Sequence, residues 1–217
     1  MRSFLASILQ KQRAFWLRRR LHGRAKQASL ICINCIGGVV SHDFGLPFRS
    51  PTVNLRFLRD DFLCFAANLR AFLQADLTEL GDPAYDYPSG LLACEHGTVR
   101  VYFQHYHSFE EAKAAWQRRC ARVDFDNLVL MVEGQDASRD MLEAYEALPY
   151  ARKVFLCEND QPGLPHCFHL HVYNRPDYIP GMALRRKPGS LRRWYEEFDV
   201  TAFLNDGTIQ KNKRWKE

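Results

Sequence analysis

The chain has 217 residues, 47% of them hydrophobic and 25% charged, enough for one globular domain with a real core. This balance excludes a disordered chain, a collagen, a coiled coil and a small disulfide scaffold, and no apolar run reaches the ~18 residues of a membrane span. The net charge of +5 is unevenly placed: residues 1–26 hold eight Lys and Arg and no acid, so taking those eight away leaves −3 for the rest, which argues against a nucleic-acid-binding domain.

Residues 1–27 read as a basic amphipathic helix ahead of a single α/β domain over 28–217. Phe4, Leu5, Ile8, Leu9, Phe15 and Trp16 fall within about 140° of arc at ~3.6 residues per turn, with most of the basic residues elsewhere on the wheel. Such a helix either rests on an anionic membrane surface or packs on its own domain. It is not a secretory signal, because no long apolar core or small-residue cleavage site follows. Seven scattered cysteines, an odd number, fit reduced thiols of a cytosolic protein.

Residues 29–34 are a short apolar run, predicted as a buried strand that ends in a tight glycine loop at 35–38. Asp60 is positioned to cap a helix bearing Phe62, Phe65, Leu69, Phe72 and Leu73. Residues 82–90 form a turn-rich loop, and 99–105 a strand. Ser108 and Glu111 make a capping box ahead of a helix with Phe109, Ala112, Trp116 and Val123 on one stripe. Residues 128–132 are fully apolar, a central strand. A helix beginning at Asp136 or Ser138 then leads to a strand over 153–157, which makes a right-handed βαβ unit with parallel strands. Beyond 160 five prolines break the chain, and a short helix is predicted over 190–198. The four strands are expected in one sheet.

Open α/β sheets bind ligands beyond the carboxyl ends of their parallel strands. The predicted strand ends carry Asn34, Cys35, Gly37 and Gly38, followed by His42 and Asp43; His105 and Tyr106; Glu133; and Glu158. Cys35 is a candidate nucleophile, with His42 or His105 as its base, Asp43 beside it, and glycine amides for an oxyanion. Arg119 and Arg122 are candidate phosphate clamps, against the alternative that they face solvent or pair with acids such as Asp124. Cys32 and Cys35 form a CxxC, but a strand position is wrong for a redox pair and no second pair exists for zinc. His169 and His171 in the 165–171 segment would share a strand face, yet no third ligand is marked, so no metal site is expected. The one DxD, Asp124 and Asp126, lies at the wrong end of its strand. No P-loop, GxGxxG, GxSxG or HExxH pattern occurs.

Residues 34–38, His42 to Leu46, Ser50 to Leu55, Tyr87-Pro88, Gly90 to Leu92, His105-Tyr106, Trp116, Arg119, Arg122, Asp126 to Leu128 and Lys153 to Phe155 resemble the bacterial DUF1919 family, often labelled exopolysaccharide biosynthesis protein. The resemblance runs over about 28–158. It implies a three-layer α/β/α fold with a mixed, partly parallel sheet and a link to surface polysaccharide, without an agreed reaction. The Asn34-Cys35 pair is also similar to the start of capsule acyltransferases that bind coenzyme A. The expected function is therefore acyl or glycosyl transfer onto a soluble or lipid-linked glycan, from a coenzyme A thioester or a sugar nucleotide. That expectation puts the protein in the cytoplasm, at the inner face of the membrane through residues 1–26. A non-catalytic glycan-binding factor, stacking sugars on Tyr85, Tyr87, Tyr102, Tyr106 and Trp116, is the alternative.

Overall fold

The computed structural model describes residues 2–215; the side chains of Phe4 and Leu5 lie outside the described part. Along the chain run α1 (Arg2–Arg19), β1 (Ser29–Cys32), α2 (Ile36–Phe44), α3 (Arg59–Ala67), α4 (Leu69–Gln74), β2 (Leu77–Glu79), β3 (Ser89–Cys94) and β4 (Gly97–Tyr102). They are followed by α5 (Phe109–Cys120), β5 (Leu128–Glu133), α6 (Arg139–Glu146), β6 (Lys153–Cys157), β7 (Cys167–His169) and α7 (Val200–Asp206).

The strands β1, β5, β6 and β7 pair in parallel in the order β1-β5-β6-β7. The mostly apolar runs of β1, β5 and β6 follow from burial on both faces, whereas β7 is a half-buried edge. Leu30, Cys32, Val129, Met131, Val154 and Leu156 face Ile36, Val40 and Phe44 of α2 and Phe203 and Leu204 of α7. Ile31, Leu130, Val132 and Phe155 face Phe62, Phe65, Trp116, Leu142 and Tyr145 of α3, α5 and α6. Helices on both faces make the three-layer α/β/α arrangement with its mixed, partly parallel strands.

One expectation is corrected. The strand over 97–102 does not join the parallel sheet; it pairs antiparallel with β3 in a separate three-stranded sheet, β2-β3-β4. The short turn at Glu95-His96, followed by Gly97 at φ 124°, closes a local hairpin, which wins over a distant parallel partner. The two sheets are nevertheless tied by one extended segment. Phe57 N–H donates to Ile33 O at 2.8 Å, and Arg56 exchanges bonds of 2.8 and 2.9 Å with Tyr102. This stitch brings the end of β4 beside the end of β1.

The glycines of 35–38 sit in a helix, not in a loop. A Cβ on Gly37 would lie 2.6 Å from Cys32 Sγ, so glycine lets α2 close against β1. Gly37→Ala should therefore cost about 1–3 kcal/mol by overpacking, read as a lowered urea midpoint. Adding Cys32→Ala should recover part of that loss; no recovery would place the strain elsewhere.

Smaller differences have local causes. The helix expected to be capped by Asp60 starts two residues earlier, at Arg59 after Leu58, with Asp60 and Asp61 in its first turn, and breaks at Asn68, whose amide Nδ2 donates to Cys64 O. The helix expected over 190–198 is one 3-10 turn, Trp194–Glu197, and α7 follows it, capped by the Asp199 carboxylate on Ala202 N–H. Ser108 and Ser138 cap α5 and α6 as their motifs predict.

Helix α1 docks by its polar side. Gln10 Nε2 donates to Asp43 at 3.1 Å, Arg13 pairs with Glu196 and Asp43, and Arg18 reaches Gly45 O. The apolar arc points away: Leu9, Phe15 and Trp16 are 49%, 54% and 64% exposed. Leu21 and Ala25 just beyond are buried, so the chain is packed across the expected boundary at 27/28. Among the described residues no helix is long and apolar enough to cross a membrane.

Candidate functional site

Asn34 leaves β1 and Cys35 caps α2, at the carboxyl edge of the parallel sheet. The Asn34 amide works in both directions: Oδ1 accepts from Ile36 N–H at 3.1 Å, and Nδ2 donates to Glu133 Oε1 at 2.5 Å. Glu133 ends β5, and its other oxygen accepts from the Tyr173 hydroxyl. Arg59 at the start of α3 holds the loop after β5 through the carbonyls of Gln135 and Asp136.

Cys35 Sγ lies 3.3 Å from His105 Nε2. His105 reaches it because the Arg56–Phe57 stitch sets the end of β4 beside β1. Burial pushes the Cys35 thiol above its usual range, and the Glu133 carboxylate adds to the effect. The pair is therefore a neutral thiol touching an exposed imidazole, not a preformed thiolate. Among the described residues His105 is the titratable side chain that lies within hydrogen-bond distance of the sulfur.

The other anticipated residues divide. Tyr106 stays near, held by Arg119, whose Nη1 donates to its hydroxyl at 2.5 Å and to Val53 O at 3.2 Å. Arg119 is thus occupied in bracing the 103–106 turn. Arg122 is exposed and lines a different cavity with Phe48, Arg49 and Asp124. Glu158 follows β6, half-buried, on the same sheet edge; its charge and that of Glu133 both act on Tyr178. Gly37 and Gly38 lie in the first turn of α2 as packing residues.

His42 and Asp43 go elsewhere. They close the helix that Cys35 opens, and seven residues of helix at about 1.5 Å each put His42 about 10 Å from Cys35 along the axis. The Cys35–His42 couple is corrected on that ground. Asp43 is 1% exposed and accepts from Arg193 Nε at 2.6 Å, Tyr195 Oη at 3.1 Å and Gln10. It ties three chain segments together and has no role at the sulfur.

Cys32 is fully buried, its thiol pushed far up by burial, which leaves Cys35 without a redox partner. The histidines of the 165–171 segment each take a partner: His166 with Glu146 at 2.5 Å, His169 with Asn174 at 2.7 Å, His171 with Glu197 at 2.8 Å. Among the described residues no group of three His, Cys, Asp or Glu is arranged to hold a metal ion. Asp124 caps the turn before β5 and pairs with Arg24, at the amino end of the strand.

A family model, Domain of unknown function (DUF1919), matches residues 6–205. The chain belongs to the DUF1919 family. The match takes in most of α1 and the histidine-bearing β7, well beyond the 28–158 that the motifs carry. The chain is also similar to a protein of Haemophilus influenzae, named "Uncharacterized protein", at 28% identity over 204 residues, 93% of this chain and 96% of that one. One residue of this DUF1919 site has little sequence signal. Tyr173 lies in the proline-broken region, where no periodicity marks its place. Glu133 is visible as a strand end, but its bond to Asn34 depends on the β1-β5 register, Cys32 opposite Met131.

Proposed function

We propose that this DUF1919 protein is a transferase of bacterial cell-surface polysaccharide assembly, moving an acyl group from a thioester donor to a glycan hydroxyl at the Cys35–His105 pair. The 3.3 Å contact between Sγ and Nε2 carries this reading. His105 Nε2 takes the proton as Cys35 Sγ attacks the donor carbonyl; the carbon–sulfur bond to the donor breaks, and the departing thiolate takes that proton back. His105 then removes the proton of a glycan hydroxyl, whose oxygen attacks the acyl-Cys35 thioester and frees the thiol. The raised thiol makes this transfer dependent on the base. Asn34, fixed by Glu133 and Tyr173, holds the first turn of α2 in place beside the sulfur.

The donor best suited to this chemistry is a coenzyme A thioester; a sugar nucleotide on the same edge is the glycosyl version. A thermal-shift screen with coenzyme A, acetyl coenzyme A and sugar nucleotides separates them, because a bound ligand raises Tm by mass action. The acyl reading expects the thioester to raise Tm and to leave an acyl adduct that Cys35→Ala removes. A shift with sugar nucleotides alone would sink it. The stacked pair Tyr85–Tyr87, centroids 5.1 Å apart, supports the glycan-binding alternative, whereas Tyr102 and Trp116 are core residues at 2% exposure.

We infer further that α1 lies on an anionic membrane surface. Ile8, Leu9, Phe15 and Trp16 are turned outward with Lys11 and Arg19, while the polar side is spent on the domain. That position suits a lipid-linked acceptor at the inner face of the cytoplasmic membrane.

A further inference from the structure

Between α1 and the C-terminal segment lies a cavity of about 260 Å³ lined by Arg13, Arg20, Arg192 and Arg214, with Trp16 and Thr201. It is far from the chemistry of Cys35, on the side of α2 that carries Asp43. Four arginines line it, Arg13 and Arg20 from α1 and its end and Arg192 and Arg214 from the C-terminal segment, where Arg192 Nη1 donates to the Arg214 carbonyl.

The acids of the neighbourhood are already engaged. Glu196 lines the cavity but pairs with Arg13 and receives the Arg193 N–H at 2.7 Å. Asp199 caps α7 and accepts from Gln210. Asp43 is held by Arg193 and Tyr195. Among the described residues no carboxylate pairs with Arg20, Arg192 or Arg214. Arg13 Nη1 is buried without a hydrogen-bond partner. Burial, then the charges of Arg214 and Arg192, weaken the hold of Arg20 on its proton, with only Asp199 opposing. The cavity wall thus carries more guanidinium than carboxylate charge, four arginines to one glutamate.

We propose that this cavity is a binding site for a phosphate group, a phosphomonoester or a diphosphate. A single carboxylate would be satisfied by one planar guanidinium fork; a phosphate offers several oxygens and up to two charges to forks arriving from different directions. The cavity is bordered by Trp16, which is also part of the outward apolar arc of α1. The phosphate therefore comes either from an anionic lipid headgroup or from a soluble diphosphate. The inference rests on the membrane reading of α1 for the first source only and does not depend on the Cys35 chemistry.

The test uses the full chain, with inorganic pyrophosphate as one probe and phosphatidylcholine vesicles with or without phosphatidic acid as the other. Pyrophosphate binding is followed by calorimetry and vesicle binding by co-sedimentation. In the double variant Arg20→Gln with Arg214→Gln the affinity should fall by about tenfold or more, as loss of charged hydrogen bonds predicts. Arg118→Gln, on an exposed face of α5, should leave it unchanged. Should the double variant not fold, Arg214→Gln alone carries the test, since that residue is exposed, and a loss of several-fold is expected. Leu9→Glu with Phe15→Glu should remove vesicle binding and keep pyrophosphate binding. Pyrophosphate without vesicles assigns the site to a soluble diphosphate and ends the membrane reading; vesicles without pyrophosphate assign it to a headgroup. Binding of neither probe, or equal loss in Arg118→Gln, overturns the proposal.

Discussion

Replacing His105 by Ala should lower the acyl-transfer rate by about 10²- to 10⁴-fold, the ordinary worth of a general base. The expectation is strong here because the Cys35 thiol is held above its usual range by burial and then by Glu133, so little thiolate exists without a proton acceptor. His105 Nε2 is the acceptor in reach, at 3.3 Å. The residue is exposed, so Tm should move little, within roughly the effect of a surface substitution of about 0.5 kcal/mol. His42→Ala is the matched comparison, because His42 is equally exposed but stands at the far end of α2. The measurement is the initial rate of transfer from the thioester donor for both variants, alongside their melting curves. Equal rate losses in the two would remove the Cys35–His105 pair from the chemistry.

Asp43→Ala should cost about 3–5 kcal/mol of stability, the usual effect of removing one partner from a buried charge network. Arg193 Nε is 2.6 Å away and largely buried, Arg13 lies at 3.9 Å; without Asp43, Arg13 would keep Glu196 and the Arg193 guanidinium would keep the Leu184 carbonyl. Against a typical total of about 5–15 kcal/mol, this is a large fraction. The loss should appear as a lower urea midpoint and as release of α1, because Gln10 and Arg13 hold that helix through Asp43.

The pH dependence has a defined sign. Burial alone would raise the Asp43 carboxyl, but the Arg193 hydrogen bond and charge, the Arg13 charge and the Tyr195 hydroxyl outweigh it and hold it below its usual range. A lowered folded-state value contributes stability above the unfolded carboxyl pKa of about 4, and that contribution is lost as pH falls through the folded value. Glu196 runs the other way: burial holds it above its usual range, against the Arg13 charge, so its contribution is present in acid and lost as pH rises through its folded value. Asp43→Ala should therefore flatten the acid limb of the stability curve, and Glu196→Gln should steepen it. An acid limb unchanged in Asp43→Ala would refute this assignment.

Much of the architecture was legible because it rests on local patterns. Leu128 to Val132 and Val154 to Cys157 are apolar at every position, which in a chain of this length means a strand covered on both faces. Ser108 and Ser138 mark their helix starts through bonds three residues away, so the sequence alone contains both partners. The alternating His169 and His171 lie at and just beyond β7, where the period-two pattern predicts neighbours, and their rings stack 4.2 Å apart.

The site was only half legible. Asn34, Cys35 and Glu133 follow from strand ends, and the choice between His42 and His105 as base could not follow from spacing. Seven residues in sequence mean one place if the chain turns back and another if it coils into a helix, and that choice depends on whether Gly37 closes against Cys32. His105, seventy residues from Cys35, arrives through the bonds of Arg56 and Phe57 to two different sheets, a contact that no local period encodes. The orientation of α1 is the same kind of fact. Its apolar arc is written in residues 4–16, but that Ile8, Leu9, Phe15 and Trp16 face solvent and not the core was decided by Asp43, which offers Gln10 and Arg13 a buried anion and so turns the polar side inward.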